Sequence, residues 1–258
     1  MKLFVLSDVH SFYEPMMVAL NEAGFDINNP EHRIVVCGDL FDRGPDAIKV
    51  FEFAKMMTAK GRFVYVYGNH EELLDDCVRD MCRTKRIKPH DVSNGTVDTI
   101  AQFTGISKYD LYSGLFDPNI IKEKIDKVLE FIYENACDVV EIGNYVFVHG
   151  WIPCDPVTGE VPSNWDIEDA NWDSARWLNG MAAWEKGARL PGKTIVCGHW
   201  HTSWGWANLV DNEQYEEFPG RKSNNLRKNF APFIQDGVIA IDACTAYTGF
   251  CNCVVLEV

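Results

Sequence analysis

Apolar residues along this chain follow two alternating rhythms. Seven short runs are dense in aliphatic, β-branched and aromatic residues: Lys2 to Leu6, Arg33 to Cys37, Arg62 to Tyr67, Tyr145 to Val148, Lys193 to Cys197, Val238 to Ile241 and Cys253 to Leu256. Their length and composition predict β-strands. Between the early runs the spacing becomes helical. Ile48, Phe51 and Met57, following Pro45, predict a helix with proline in its first turn. Leu74, Cys77, Val78 and Met81 predict a second over Glu71 to Met81, and Ile121, Ile125, Val128, Leu129 and Ile132 a third. Strands alternating with helices predict an α/β sandwich. The mainly helical, charged segment at about 71–144 is expected to form a helical cap insertion within a single domain. The polar stretch from Asp211 to Asn229 is expected to be a surface loop.

The polar residues that interrupt this pattern are as informative as the apolar ones. Five apolar runs are each followed by a short motif: Asp8-Val9-His10, then GDLFDRG from Gly38 to Gly44, then Gly68-Asn69-His70-Glu71, then His149-Gly150, and Gly198 to His201. Five of the seven histidines fall inside these motifs, leaving only His32 and His90 elsewhere. In open α/β sheets the crevice beyond the carboxyl ends of the strands is where ligands bind, because side chains there leave the packed sheet yet stand on rigid supports. The motifs bring carboxylates, imidazoles and one amide oxygen to such positions, a donor mixture that hard or borderline divalent cations accept. The pattern predicts a site for two metal ions.

Composition narrows the partners. The chain has 258 residues, 47% hydrophobic and 24% charged, which suits a soluble globular protein with a substantial core. A formal net charge of −14 argues against a long polyanion such as duplex nucleic acid, although bound metals would reverse the sign locally and admit a small phosphorylated substrate. Ser7 and Asp8 cut short the first apolar run, and no stretch reaches membrane-spanning length, so a cytoplasmic protein is expected. Nine widely spaced cysteines do not read as a disulfide framework.

The ordered set DxH, GDxxD, GNHE, HG and GHxH resembles the calcineurin-like metallophosphoesterase superfamily. The resemblance implies a four-layer α-β-β-α sandwich and a dinuclear centre of two divalent ions, Mn foremost with Fe or Zn as substitutes. Carried over position by position, it gives the first ion Asp8, His10, Asp39 and His201, and the second Asp39, Asn69, His149 and His199. Asp39 would bridge two dications held about 3.5–4 Å apart, screening their repulsion. A water shared by the ions, acidified toward neutrality, would attack phosphorus in line. His70 would protonate the leaving oxygen, Asp42 would orient His70, and Arg43 would clamp the phosphate with its planar fork.

Arg43 after Asp42, Glu71, and the NWDSARW segment resemble the branch that holds serine/threonine protein phosphatases, phage-type protein phosphatases and symmetrical diadenosine tetraphosphatases. In that branch Arg176 would be a second phosphate ligand, and Asp242 in IDACTAYTG would stand behind the metal ligands. The chain departs from the branch in keeping both His199 and His201, where protein phosphatases generally keep only the first. The expected function is hydrolysis of phosphomonoesters, on a phosphoprotein or a small phosphorylated molecule. Dinucleoside polyphosphates and phosphodiesters are the alternative substrates, and a non-catalytic protein-binding scaffold is the alternative class. All eight tryptophans fall between Trp151 and Trp206 and are expected to pack the second half of the core, or else to offer a stacking platform.

Overall fold

Side chains alternate across each strand, and in this chain both resulting faces are apolar. Leu3 and Val5 of β1 (Lys2–Leu6) and Val35 and Cys37 of β2 (His32–Cys37) point to one buried cluster. Phe4, Leu6, Ile34 and Val36 point to another. A strand apolar on both faces must be covered on both, and the computed structural model of the chain, which describes residues 1–167, 170–211 and 229–258, shows how. Strands β1 and β2 pair in parallel, followed by β3 (Phe63–Val66) and the two-residue β4 (Ala136–Cys137), with β10 (Val254–Glu257) antiparallel on the other edge. A second sheet runs β5 (Val140–Ile142), β6 (Tyr145–Phe147), β7 (Thr194–Cys197), β9 (Val238–Ala240) and β8 (Phe233–Gln235). Its centre is parallel and both its edges are antiparallel.

The two sheets pack face to face. Leu3, Val5, Val35, Cys37 and Val66 from the first meet Phe147, Val196, Ile239 and Ile241 from the second. The outer face of the first sheet is covered by α1 (Tyr13–Glu22), α2 (Ala47–Ala59), α3 (Asn69–Thr84), the short α4 (Pro89–Ser93), α5 (Thr96–Thr104), the short α6 (Lys108–Tyr112) and α7 (Pro118–Asn135). The segment at about 71–144, expected as a cap, supplies most of this layer, and its Leu74, Val78, Ile100, Ile125 and Ile132 share one cluster with the sheet. The outer face of the second sheet carries Trp151, Trp172 and Met181, the last two on the short helices α8 (Trp172–Ala175) and α9 (Gly180–Glu185). Helix, sheet, sheet, helix is the four-layer arrangement expected from the resemblance.

Two local expectations fail. The helix after Pro45 begins only at Ala47, with Asp46 as its N-cap, and Ile48 is 48% exposed while Ala47, Val50, Phe51 and Ala54 are buried. Proline is excluded because Gly44 and Asp46 are committed to backbone bonds with His10 and Ser11, holding the preceding turn against the β1 loop. The edge strands β4, β5 and β8, two or three residues each, were not anticipated, being too short to show alternation. The expected loop from Asp211 to Asn229 lies, but for its ends, outside the described residues. Among the described residues no helix is long and apolar enough to cross a membrane.

Candidate metal centre

The loops after β1 and β2 are stitched together by backbone bonds from Asp8 N to the Gly38 carbonyl, His10 N to Asp39 and Ser11 N to Leu40, all between 2.9 and 3.1 Å. This zipper continues the β1–β2 pairing past the strand ends and carries Asp8, His10 and Asp39 to one place. Asn69 and His70 open α3 directly after β3. His149 follows β6 and His199 follows β7, and Gly198 N bonds the His149 carbonyl at 2.8 Å. The approach is close enough to demand glycine. A Cβ on Gly38, whose φ is +80°, would sit 2.3 Å from His149 Nδ1, and one on Gly198 would sit 2.3 Å from Asp8 Oδ2.

Asp39 is the hub. Its Oδ1 lies 3.3 Å from His149 Nε2, and its Oδ2 lies 3.7 Å from His10 Nε2 and 3.9 Å from His70 Nε2. Burial works against its charge, but the surrounding imidazoles, His149 and His70 foremost, outweigh that and hold its carboxyl well below the usual range. Ligand atoms gather in two groups that share it: His10, Asp39 and His70, and Asp39, His149 and His199.

The imidazoles are oriented from behind. His10 Nδ1 lies 2.9 Å from the Phe41 carbonyl and His149 Nδ1 lies 2.8 Å from the Cys37 carbonyl. A carbonyl can only accept, so each ring carries its proton on Nδ1 and a neutral ring turns a bare Nε2 inward. Burial, with help from Arg43 and His70, pushes the His10 pKa well down, and burial and His149 push His199 down to about 3. His149 Nε2 also lies 2.8 Å from the Asn69 side-chain oxygen. Imidazole nitrogens, an amide oxygen and carboxylates at such short range form a donor set that fits a divalent ion.

Asp8 and His201 line the same cavity but do not enter the two compact groups, whereas His70 does. The first expected ligand set is therefore only partly assembled. Asp8 accepts from the His199 backbone N–H at 3.0 Å, and His201 Nε2 sits 3.8 Å from Asp242 Oδ2. Burial, Asp242 and Asp39 together push the Asp8 pKa well above its ordinary value.

His70 donates from Nδ1 to Asp42 Oδ2 at 2.8 Å, and Arg43 Nη2 approaches His70 Nε2 at 3.1 Å. Burial lowers the His70 pKa, but Asp39 and Asp42 more than compensate and raise it. Asp42 is fully buried, and two residues that sequence reasoning passed over hold it. Thr96 donates to Oδ2 and Thr99 to Oδ1, both at 2.8 Å, while Asp42 N donates back to Thr99 at 3.0 Å. Glu71 was noted only as a branch mark. Its carboxylate accepts from the backbone of Asp39, Leu40 and Gly68 and from the Tyr65 hydroxyl, at 2.7–3.0 Å, and so fixes the loop that carries the hub. A Glu three residues after the turn into a helix was the available signal.

Arg176 requires a correction. Its guanidinium donates to Asp138 at 3.2 Å, Glu72 at 3.0 Å and Asp173 at 2.8 Å, lies over the Tyr67 ring, and does not line the cavity. Three carboxylates occupy the fork that a phosphate would need.

The cavity has a volume of about 680 Å³. Beyond the residues above it is walled by Ser93 of α4 and the adjoining Asn94, by Trp177 and Trp200, and by Cys244 and Tyr247. Backbone strain concentrates around it. Nine described non-glycine residues have positive φ, and eight of them, Asp8, His10, Ser11, Asp39, Asp42, Arg43, His199 and Cys244, lie in the loops that form this site.

Known proteins resemble this chain in sequence and in fold. The profile described as calcineurin-like phosphoesterase matches residues 1–230. An asymmetrical bis(5'-nucleosyl)-tetraphosphatase of Bacillus subtilis (strain 168) is 29% identical over 161 residues, 59% of this chain and 59% of the relative. The chain thus spans about three fifths of the length of that relative. Among solved structures, one titled a putative diadenosine tetraphosphatase superposes with a TM-score of 0.50 at 14% identity, covering 99% of this chain and 92% of the other. A mutant cold-active protein tyrosine phosphatase does so at 0.53 and 16% identity, covering 99% and 75%. Both show a shared fold.

Proposed function

Because the chain belongs to the calcineurin-like phosphoesterase family, we propose that it is a metal-dependent hydrolase of phosphorylated small molecules. Dinucleoside polyphosphates lead among the substrates, ahead of the phosphomonoesters that the sequence ranked first. The observation that carries the reading is the convergence of the His10, His149 and His199 ring nitrogens and the Asn69 side chain on the buried Asp39 carboxylate, the donor mixture a divalent ion accepts. We assign Asp8, His10, Asp39, Asn69, His149, His199 and His201 to two divalent ions, with Asp39 shared and Mn the preferred metal for a set rich in oxygen and imidazole. Bound there, the ions would supply the Lewis acidity that activates water and polarises the phosphoryl oxygens.

The chain's own groups do the rest. Arg43 donates to the phosphate through its fork. In the free site that guanidinium can only donate to His70 Nε2, which keeps this nitrogen unprotonated. Drawing Arg43 onto a phosphate releases Nε2 to take up a proton from solvent; Asp42 at Nδ1 stabilises the resulting imidazolium, which then gives that proton to the leaving oxygen and returns to the neutral ring. An intact His70–Asp42 pair favours an enzyme over a binding scaffold. The names of the relatives favour nucleoside polyphosphates, while phosphoprotein substrates have only the fold on their side. Nine cysteines without a disulfide suit a reducing, cytoplasmic setting.

The test is a hydrolysis panel on Mn-loaded protein, comparing 4-nitrophenyl phosphate, an aryl diester, diadenosine tetraphosphate and a phosphopeptide. Replacing His70 by Asn should lower turnover about 10²–10⁴-fold on poor leaving groups and far less on the nitrophenyl ester. Equal losses on both would remove His70 from the role of acid.

A further inference from the structure

We infer that Trp177 and Trp200 form a stacking site for the nucleobase of a nucleotide substrate, on the flank of Asp39 opposite the His70–Arg43 pair. The inference rests on the reading of the Asp39 cluster as a phosphate-binding centre. Trp177 is 47% and Trp200 37% exposed, and both line the cavity. Six other tryptophans share their stretch of sequence, and among them Trp151 and Trp172 are buried in the core of the second sheet as ordinary packing would have it. Large indoles left open to water inside a cavity call for a ligand, because burying such a ring against a partner is strongly favourable.

Their orientation is fixed. Trp177 stands edge-on to the His199 ring, with centroids 5.7 Å apart at 87°, and Trp200 edge-on to Trp204, at 6.4 Å and 78°. Through that edge-on contact Trp177 and a candidate metal ligand are positioned together. Preset planar surfaces of this kind suit a flat ring at little cost in ordering.

Position and charge narrow the ligand. Asp39 Oδ2 faces His10 and His70, with Arg43 behind them, whereas Oδ1 faces His149, whose ring lies 5.0 Å from that of His199. A leaving group therefore departs toward His70, while Trp177, edge-on to His199, lies on the other side, and Trp200 follows His199 in the chain and lines the same cavity. A phosphomonoester undergoing hydrolysis has nothing there, but a phosphoanhydride between two nucleosides keeps a nucleotide on each side of the attacked phosphorus, and AMP is the product that retains its nucleoside on the non-leaving side. Among the described residues Arg43 is the one Lys or Arg lining the cavity, and the chain carries a net charge of −14, so stacking on the indoles is the affinity beyond the phosphate that the described wall offers.

Equilibrium binding tests this without turnover. Mn-loaded full-length protein is titrated with AMP, ribose 5-phosphate and phosphotyrosine, following tryptophan fluorescence and heat. AMP should bind about 5- to 150-fold more tightly than ribose 5-phosphate, the range expected for one stacked base, and should quench the indoles. In Trp177→Ala and Trp200→Ala that preference should shrink toward one, and in Trp177→Phe it should largely return. Equal affinities for AMP and ribose 5-phosphate in the wild type would overturn the stacking site even if every variant misfolded. Phosphotyrosine binding as tightly as AMP would overturn it in favour of a peptide aromatic. Tight AMP binding without hydrolysis of any substrate would leave the base site standing and sink the proposed activity instead.

Discussion

Replacing Thr99 by valine keeps the shape of the side chain and removes one oxygen, which isolates what that oxygen does for Asp42. In the folded protein the Thr99 hydroxyl donates to Asp42 Oδ1 and accepts from Asp42 N, at 2.8 and 3.0 Å, in surroundings without solvent. A hydrogen bond to a charged group contributes about 1.5–3 kcal/mol, and an orphaned buried N–H costs about 1–3 kcal/mol more, so Thr99→Val should destabilise by about 2.5–6 kcal/mol. Thr96→Val removes only the bond to Oδ2, which keeps its His70 partner, and should cost about 1.5–3 kcal/mol. At roughly 2–4 °C per kcal/mol for a chain of this size, calorimetry should place Thr96→Val between wild type and Thr99→Val. Catalysis should follow in a particular way. A carboxylate that has lost a threonine donor no longer fixes His70, so turnover should fall on phenyl phosphate, whose leaving group needs a proton, and hold on 4-nitrophenyl phosphate, whose leaving group barely needs one. A Thr99→Val protein as stable as wild type, with an unchanged ratio between the two substrates, would refute the argument.

Other perturbations probe other parts of the site. Adding Mn should raise the melting temperature, by the equivalent of about 2.7 kcal/mol at a hundredfold excess over Kd. That gain should grow with pH: the folded-state pKa of Asp8 is raised by burial and its carboxylate neighbours, so the metal-free chain is favoured on the acid side of the ordinary aspartate range and loses that stability as Asp8 ionises, which the cations then offset. Scanning calorimetry with Mn and with a chelator across pH reads this directly, and a gain independent of pH would contradict it. Gly38→Ala forces a left-handed residue costing about 1–2 kcal/mol and drives a methyl group against His149, so elemental analysis after dialysis should show less retained metal. Arg176→Met should cost about 1–3 kcal/mol of stability, discounted because Glu72, Asp138 and Asp173 are partly exposed. Its kcat/KM should stay near wild type, whereas a hundredfold loss would restore Arg176 to the substrate.

The parts of this protein legible in its sequence are those written in consecutive residues. Runs such as Phe4-Val5-Leu6 and Ile34-Val35-Val36 are apolar at every position because both faces are buried, and that requirement leaves its mark locally. The five motifs read clearly for a related reason, since each occupies one strand end. What stayed hidden depends on residues distant in sequence. Nothing around Thr96 or Thr99 marks them as partners of Asp42, 54 and 57 positions away. Arg176 sits in a segment that looks like a phosphate ligand, and only the packing of α3 and the β4–β5 turn around it reveals that Glu72 and Asp138 hold its fork. Edge strands of two or three residues have too few side chains to display a period, and Ile48 belongs to a helix whose start is set by the backbone bonds of Gly44 and Asp46 rather than by proline.

The distribution of strain argues that the same contacts which were illegible also make the site possible. A non-glycine residue in the left-handed region costs on the order of 1–3 kcal/mol, and Asp8, His10, Ser11, Asp39, Asp42, Arg43, His199 and Cys244 all adopt it. Eight such residues would relax unless their surroundings allowed no alternative. The surroundings here are the zipper between the β1 and β2 loops, the four donors around Glu71 and the two threonines beneath Asp42, none of which need touch a substrate. They hold imidazole nitrogens and carboxylates within a few ångströms of one another, an arrangement whose burial cost a bound cation would offset. The fold therefore keeps its cost where the ligand returns it, and weakening the supports should loosen the centre before it unfolds the sandwich.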